Sequence, residues 1–125
     1  MKRHYRLRRN NDFLRVRRFG KTYASPLMVL AFVRNELDHS RFGFVVSRRL
    51  GNAVQRNKVK RRMREATRVR IPNIKSGFDL VLIARQPITQ ATYKETEHTL
   101  EYLLKKADLF TGQPAQNQSP IQTRT

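Results

Sequence analysis

The chain has 125 residues, no cysteine, and 27 Lys and Arg against 9 Asp and Glu, for a formal net charge of +18. That length holds one modest hydrophobic core, and the lack of thiols excludes disulfide frameworks, cysteine nucleophiles and Cys-ligated zinc. Charge of this size argues about partners rather than fold, and the partner it selects is phosphate.

Residues 1–9 read as a basic arm. Asn10 or Asn11 can cap a short helix in which Phe13, Val16 and Phe19 recur at three-residue spacing until Gly20 ends it. From Lys2 to Lys21 nine cations face Asp12 alone. After Ser25-Pro26, the run LMVLAFV has the length of a strand, residues 35–40 are polar enough for a turn, and 41–47 predict a second strand. Met28, Leu30, Phe32, Phe42, Phe44 and Val46 share one face by alternation and predict the core side. Smaller residues, among them Ala31, Gly43 and Ser47, occupy the other face and predict a shallow groove flanked by the first helix.

Leu50-Gly51-Asn52 supply a turn and an N-cap for a longer helix that Pro72 stops. Between Ser47 and Arg70 stand ten Lys and Arg and one acid, Glu65. At about 100° per residue, Arg56, Asn57, Lys60, Arg61, Arg64 and Arg68 fall within an arc of roughly 140°. Val59, Met63, Ala66 and Val69 lie opposite as a docking edge, with Arg62 and Arg70 intruding on it and expected to snorkel. Like charges at i,i+4 along Arg56, Lys60, Arg64 and Arg68 repel, and bound phosphates would relieve them, so the stripe reads as a nucleic-acid contact rather than a solvated face.

The run DLVLIAR, 79–85, predicts a buried strand, and strand, long helix and strand together make a crossover with a parallel pair. Thr92-Tyr93-Lys94-Glu95 matches a capping box, and Tyr93, Leu100, Leu103, Leu104 and Ala107 form the apolar face of a final helix. Residues 111–125 are polar and expected to be disordered, which leaves a single domain over 1–110. The N-terminus lacks an apolar signal region and no apolar run approaches a membrane span, so the expected location is the cytoplasm, without membrane contact.

Chemistry-bearing clusters are missing from this pattern. His4, His39 and His98 are scattered, Glu95, Glu97 and Glu101 are expected to be solvated on the final helix, and no triad, metal cage or glycine-rich phosphate loop is visible. Any reaction is therefore assigned to a partner. Arginine outnumbers lysine heavily, and its planar fork favours bidentate phosphate contact and stacking on exposed bases, which points to folded RNA. Tyr5, Phe13, Phe19 and Tyr23 are candidates for base stacking, Phe13 first among them because it flanks the groove.

RFGFVVSRRLGNAVQRNKVKRRMRE from Arg41 to Glu65, with NNDFLRVRRFGKTY before it and DLVLIARQP and TYKETEHTLEYLL after it, resembles the protein component of bacterial ribonuclease P. The resemblance covers about residues 5–106. It implies an α+β sandwich in the order α-β-β-α-β-α, like a domain of some ribosomal proteins, with a small mixed sheet and a left-handed crossover carrying the basic helix. It also implies a catalytic RNA partner that removes 5′ leaders from precursor tRNA. No obligate protein partner is implied, and the magnesium required is held mainly by the RNA. By that similarity Arg56, Asn57, Lys58, Lys60, Arg61, Arg64 and Arg68 would pack against the catalytic RNA, supported by Arg48, Arg49 and Asn52. The leader would follow a groove through Phe13, Arg17, Ala31, Val45 and Ser47. Three positions depart from the family pattern: Lys58 ends the arginine-asparagine-arginine signature, Arg17 replaces a second helix aromatic, and Ala31 replaces a strand tyrosine of some members. A ribosomal or general RNA-binding protein, a DNA-binding regulator and a self-sufficient nuclease are the rival readings.

Overall fold

Alternation in the two apolar runs builds the sheet much as expected. In the computed structural model, which describes residues 1–111, the second strand of the chain, β2 (Met28–Arg34), and the third, β3 (Arg41–Val45), send Met28, Leu30, Phe32, Phe42 and Phe44 into the main core. A first strand that the sequence reading did not contain, β1 (Lys21–Ala24), precedes them, and β4 (Phe78–Ala84) follows. The strand order is β1-β2-β4-β3, with β1–β2 and β2–β4 antiparallel and β3–β4 parallel. Three α-helices complete the α+β fold: α1 (Asn10–Phe19), α2 (Ala53–Arg68) and α3 (Tyr93–Lys106). The observed order is α-β-β-β-α-β-α, one strand more than the expected α-β-β-α-β-α. Most of the expected 111–125 tail, from 112 onward, lies outside the described residues.

Each sheet face has its own core. Helices α2 and α3 cover the bulky face, where Val59, Met63 and Ala66 meet Leu80, Leu82, Leu100, Leu103 and Leu104. Helix α1 covers the small-residue face, where Leu7, Val16, Ala31 and Val81 are buried and Phe13, Val33, Val45 and Ile83 pack around them. Full burial of Val16 contributes about 1.5–3 kcal/mol to holding α1 down. The arm expected at 1–9 is thus tied in, because Leu7 belongs to this second core and its N–H donates to the Phe42 carbonyl at 2.8 Å.

A buried ionic knot also fixes α1. Asp79 on β4 is 0% exposed, and its carboxylate accepts from Arg41 Nε and Asn35 Nδ2 at 2.9 Å on one oxygen. Arg41 Nη2 and Arg15 Nη2 donate to the other oxygen at 2.8 Å. Burial raises the carboxyl group's pKa, but the hydrogen bonds and charges of Arg41, Asn35 and Arg15 outweigh it and hold the group below the ordinary aspartate range. Arg15 comes from α1, so the helix is clamped at a set position over the sheet. Along the chain Asp79 only opens the apolar run 79–85, and the three side chains that bind it stand 38 to 64 positions away.

Candidate nucleic-acid interface

Local chemistry sets the start of α2. Asn52 is its N-cap: the side-chain oxygen accepts from Gln55 N–H at 2.9 Å while the Gln55 side chain accepts from Asn52 N–H at 2.9 Å. Gly51 has φ of 145°, and a Cβ there would collide with the Gln55 side chain that completes this box. Ser47 accepts from Arg49 N–H and caps the short turn over Arg48–Leu50 that precedes the helix. Asn52 and Ser47 therefore shape the approach to α2 through their own hydrogen bonds, and Arg48 and Arg49 are exposed upon it.

The stripe faces away from the body. Asn57, Lys60, Arg61 and Arg68 are exposed and Arg56 and Arg64 half-exposed, and among the described residues only Arg68 has an ion-pair partner, Glu65 at 2.7 Å. That pair is half-exposed on both sides and open to competition from phosphate. The hydrogen bond from Arg68 lowers the Glu65 carboxyl below its usual range.

Two expectations about this helix need correction. Val69 is 45% exposed, and Thr67 is buried in its place, because Val69 falls outside the sector that Val59, Met63 and Ala66 define and already caps the helix. Arg70 does not snorkel: it donates to Glu97 and Glu101 on α3 at 3.1 Å, so those acids are not merely solvated. Lys58, implied by resemblance to touch the catalytic RNA, is exposed outside the stripe's arc, as periodicity has it. It turns to the opposite flank, where Arg49, Lys58 and Arg62 border a cavity of about 420 Å³ together with Gln86 and Gln90.

The groove forms where the sheet ends. β3 is an edge strand whose outer side is bridged at Phe42 by Arg6, and no described strand joins that edge beyond Phe42. Past that point Asn10, Phe13, Leu14 and Arg17 of α1 face Phe44, Val45 and Val46 across a cavity of about 540 Å³, with Lys60 of α2 on its rim. The Phe13 ring is set by Gly43: a Cβ there would come within 2.5 Å of it. Leu14 is 63% exposed, an apolar residue left at the mouth.

Of the leader residues implied by resemblance, Phe13, Arg17 and Val45 come together in this groove. Ser47 lies outside its lining. Ala31 is 0% exposed beneath α1, so it cannot touch a ligand; its small side chain lets Val16 seat against the sheet. Asn10, Leu14, Phe44, Val46 and Lys60 line the groove without having been expected there. Alternation assigns Phe44 and Val46 to the core face, against which both do pack, and only the meeting of α1, β3 and α2 brings them to the groove with the rest. Two other aromatic candidates pack within the protein: Tyr23 stacks on Phe32 at 6.1 Å, and Tyr5 packs against the core and His4. Phe19 is 69% exposed, with Arg18 over its ring.

A small α+β protein with one outward cationic helix face and an edge groove touching it defines a class of basic domain built around an exposed surface for an anionic partner. Among the described residues no group of three His, Cys, Asp or Glu could hold a metal, and no helix is long and apolar enough to cross a membrane. The family model described as Ribonuclease P matches residues 1–108. The ribonuclease P protein component of Clostridium novyi is 44% identical over 112 residues, covering 88% of this chain and 99% of that protein. That of Chloroflexus aurantiacus is 40% identical over 122 residues, covering 97% and 90%. The solved Staphylococcus aureus RNase P protein superposes with a TM-score of 0.79 at 41% identity, over 85% of this chain and 97% of that one. The chain belongs to the family of ribonuclease P protein components and is a subunit of that endoribonuclease.

Proposed function

We propose that the chain binds the catalytic RNA of ribonuclease P through the α2 stripe and seats the single-stranded 5′ leader of precursor tRNA in the groove between α1 and β3. The RNA, with its magnesium, performs the cut that gives the mature tRNA 5′ end, in the cytoplasm and without another obligate protein. The observation that carries this reading is Lys60: it belongs to the cationic stripe and also lines the groove, so the two surfaces share a border. A strand in the groove would run directly onto the ribozyme that the stripe holds.

The protein's part is electrostatic and positional. Arg56, Lys60, Arg61 and Arg64 neutralise phosphates and release counterions, which lowers the cost of bringing two polyanions together. Phe13 offers a ring face for stacking and Arg17 a guanidinium for phosphate, so a precursor gains contacts that a mature tRNA lacks. The deciding experiment reconstitutes the chain with the catalytic RNA at magnesium too low for the RNA alone. Restored 5′ cleavage of precursor supports the reading, whereas RNA binding without restored cleavage favours a general RNA-binding protein.

A further inference from the structure

The N-terminal segment carries a second cationic surface that the stripe and groove do not use. A short turn over Arg3–Tyr5 leads to Arg6, which bridges to Phe42, and to the buried Leu7, so the backbone is anchored there. Anchoring it gathers the exposed side chains of Arg3, Arg6, Arg8 and Arg9 around a basin of about 940 Å³ whose far wall includes Arg41 and His39. His39 braces the segment, its Nε2 lying 3.1 Å from the His4 carbonyl oxygen, and the two imidazoles meet edge-on at 5.2 Å.

The lining holds one carboxylate, Asp12, which stands 3.6 Å from Arg41. Among the described residues Arg3, Arg6, Arg8 and Arg9 have no ion-pair partner. Four guanidiniums around one hollow repel one another, and an anion seated between them removes that cost.

Position on the sheet selects the anion. β3 runs from Arg41, in the basin wall, to Val45, in the groove, a span of about 13 Å at strand rise. On α1 and its cap, Arg9 and Asp12 border the basin while Asn10 and Phe13 border the groove. Lys60, the link to the ribozyme side, lines the groove and not the basin. A strand that enters the groove from the stripe side therefore leaves it toward the basin.

We propose that the basin whose free cations are Arg3, Arg6, Arg8 and Arg9, walled by the Asp79-bound Arg41, is a phosphodiester-binding site for the leader nucleotides upstream of those in the groove. The inference rests on the groove being the leader path. It makes the subunit sensitive to leader length, because a short leader ends before the basin.

The test uses reconstituted holoenzyme and precursor tRNAs with leaders of roughly four and roughly twelve nucleotides. Replacing Arg3, Arg6 and Arg8 together by Gln is expected to weaken the long-leader substrate about tenfold and to lower its salt slope, log affinity against log salt, by about 2. The short-leader substrate and mature tRNA are expected to be unchanged. A single Arg8→Gln change should lower the slope by about 0.7, and the triple Lys variant should keep it, which separates charge from folding defects. Equal loss on both leaders, or no loss on either, overturns the inference. Phe13→Ala, measured beside them, tells the two readings apart: if it reduces the preference for precursor while the triple Gln variant ignores leader length, only the basin fails. If it leaves precursor preference intact, the groove reading fails first.

Discussion

Phe13 and Gly43 act as one unit, since the ring lies where any side chain at 43 would be. Phe13→Ala removes a stacking surface and is expected to lower precursor affinity by about 1–3 kcal/mol while leaving mature tRNA unchanged, as read by binding of both tRNAs to the holoenzyme. Gly43→Ala should push the ring off the strand and reduce the same preference without removing any group that touches RNA. Asp79 gives the sharpest stability expectation. Its folded pKa lies below the unfolded value of about 4, so its contribution is complete above pH 4 and is lost as pH falls through the folded value. Asp79→Asn, which leaves Arg15 without its counter-charge and Arg41 with Asp12 alone, should cost about 3 kcal/mol at neutral pH and flatten the acid limb of a denaturation curve. Nothing around Asp79 in the chain announces this: Arg15, Asn35 and Arg41 lie 64, 44 and 38 positions away.

Among the elements, α2 carries the most function and was the most legible. Its cap, its apolar edge and its stripe all follow from 3.6-residue periodicity and side-chain chemistry, which operate within a few residues. Asn52→Ala removes the side-chain oxygen that accepts from Gln55 N–H, leaving only the backbone half of the capping box, and is expected to cost about 1 kcal/mol in thermal unfolding. Replacing Arg56, Lys60 and Arg64 by Gln should lower the salt slope of catalytic-RNA binding by about 2–3, measured by titration at several salt concentrations; an unchanged slope would remove the stripe from the interface. β1 shows the opposite case. Its four residues, KTYA, include only one half-buried side chain, Tyr23, so no alternation marks them, and the strand exists because β2 offers an edge to pair with. Arg70 likewise lay on an apolar edge by periodicity, and only α3 brought the carboxylates of Glu97 and Glu101 to it.

For the whole molecule, +18 charges on 125 residues must oppose compaction. Sulfate or phosphate, which can occupy the stripe and the basin, should therefore raise the melting temperature more than chloride does at equal ionic strength, as followed by circular dichroism. Equal shifts would mean screening alone. The phosphate partner, the helix that displays the charge, the two main strands and the family were all readable from the chain, because charge density and short-period patterning are local properties. The groove was readable only in outline. Ala31 and Phe13 sit on its two sides in the sequence reading, yet one is sealed under α1 and the other open, since burial is decided by the helix that Asp79 and Val16 lock over the sheet. The contact of Lys60 with the groove comes from α1, β3 and α2 converging on the free end of the β3 edge, and the basin from the N-terminal segment, α1 and Arg41 meeting at its bridged end, geometries that long-range packing alone creates.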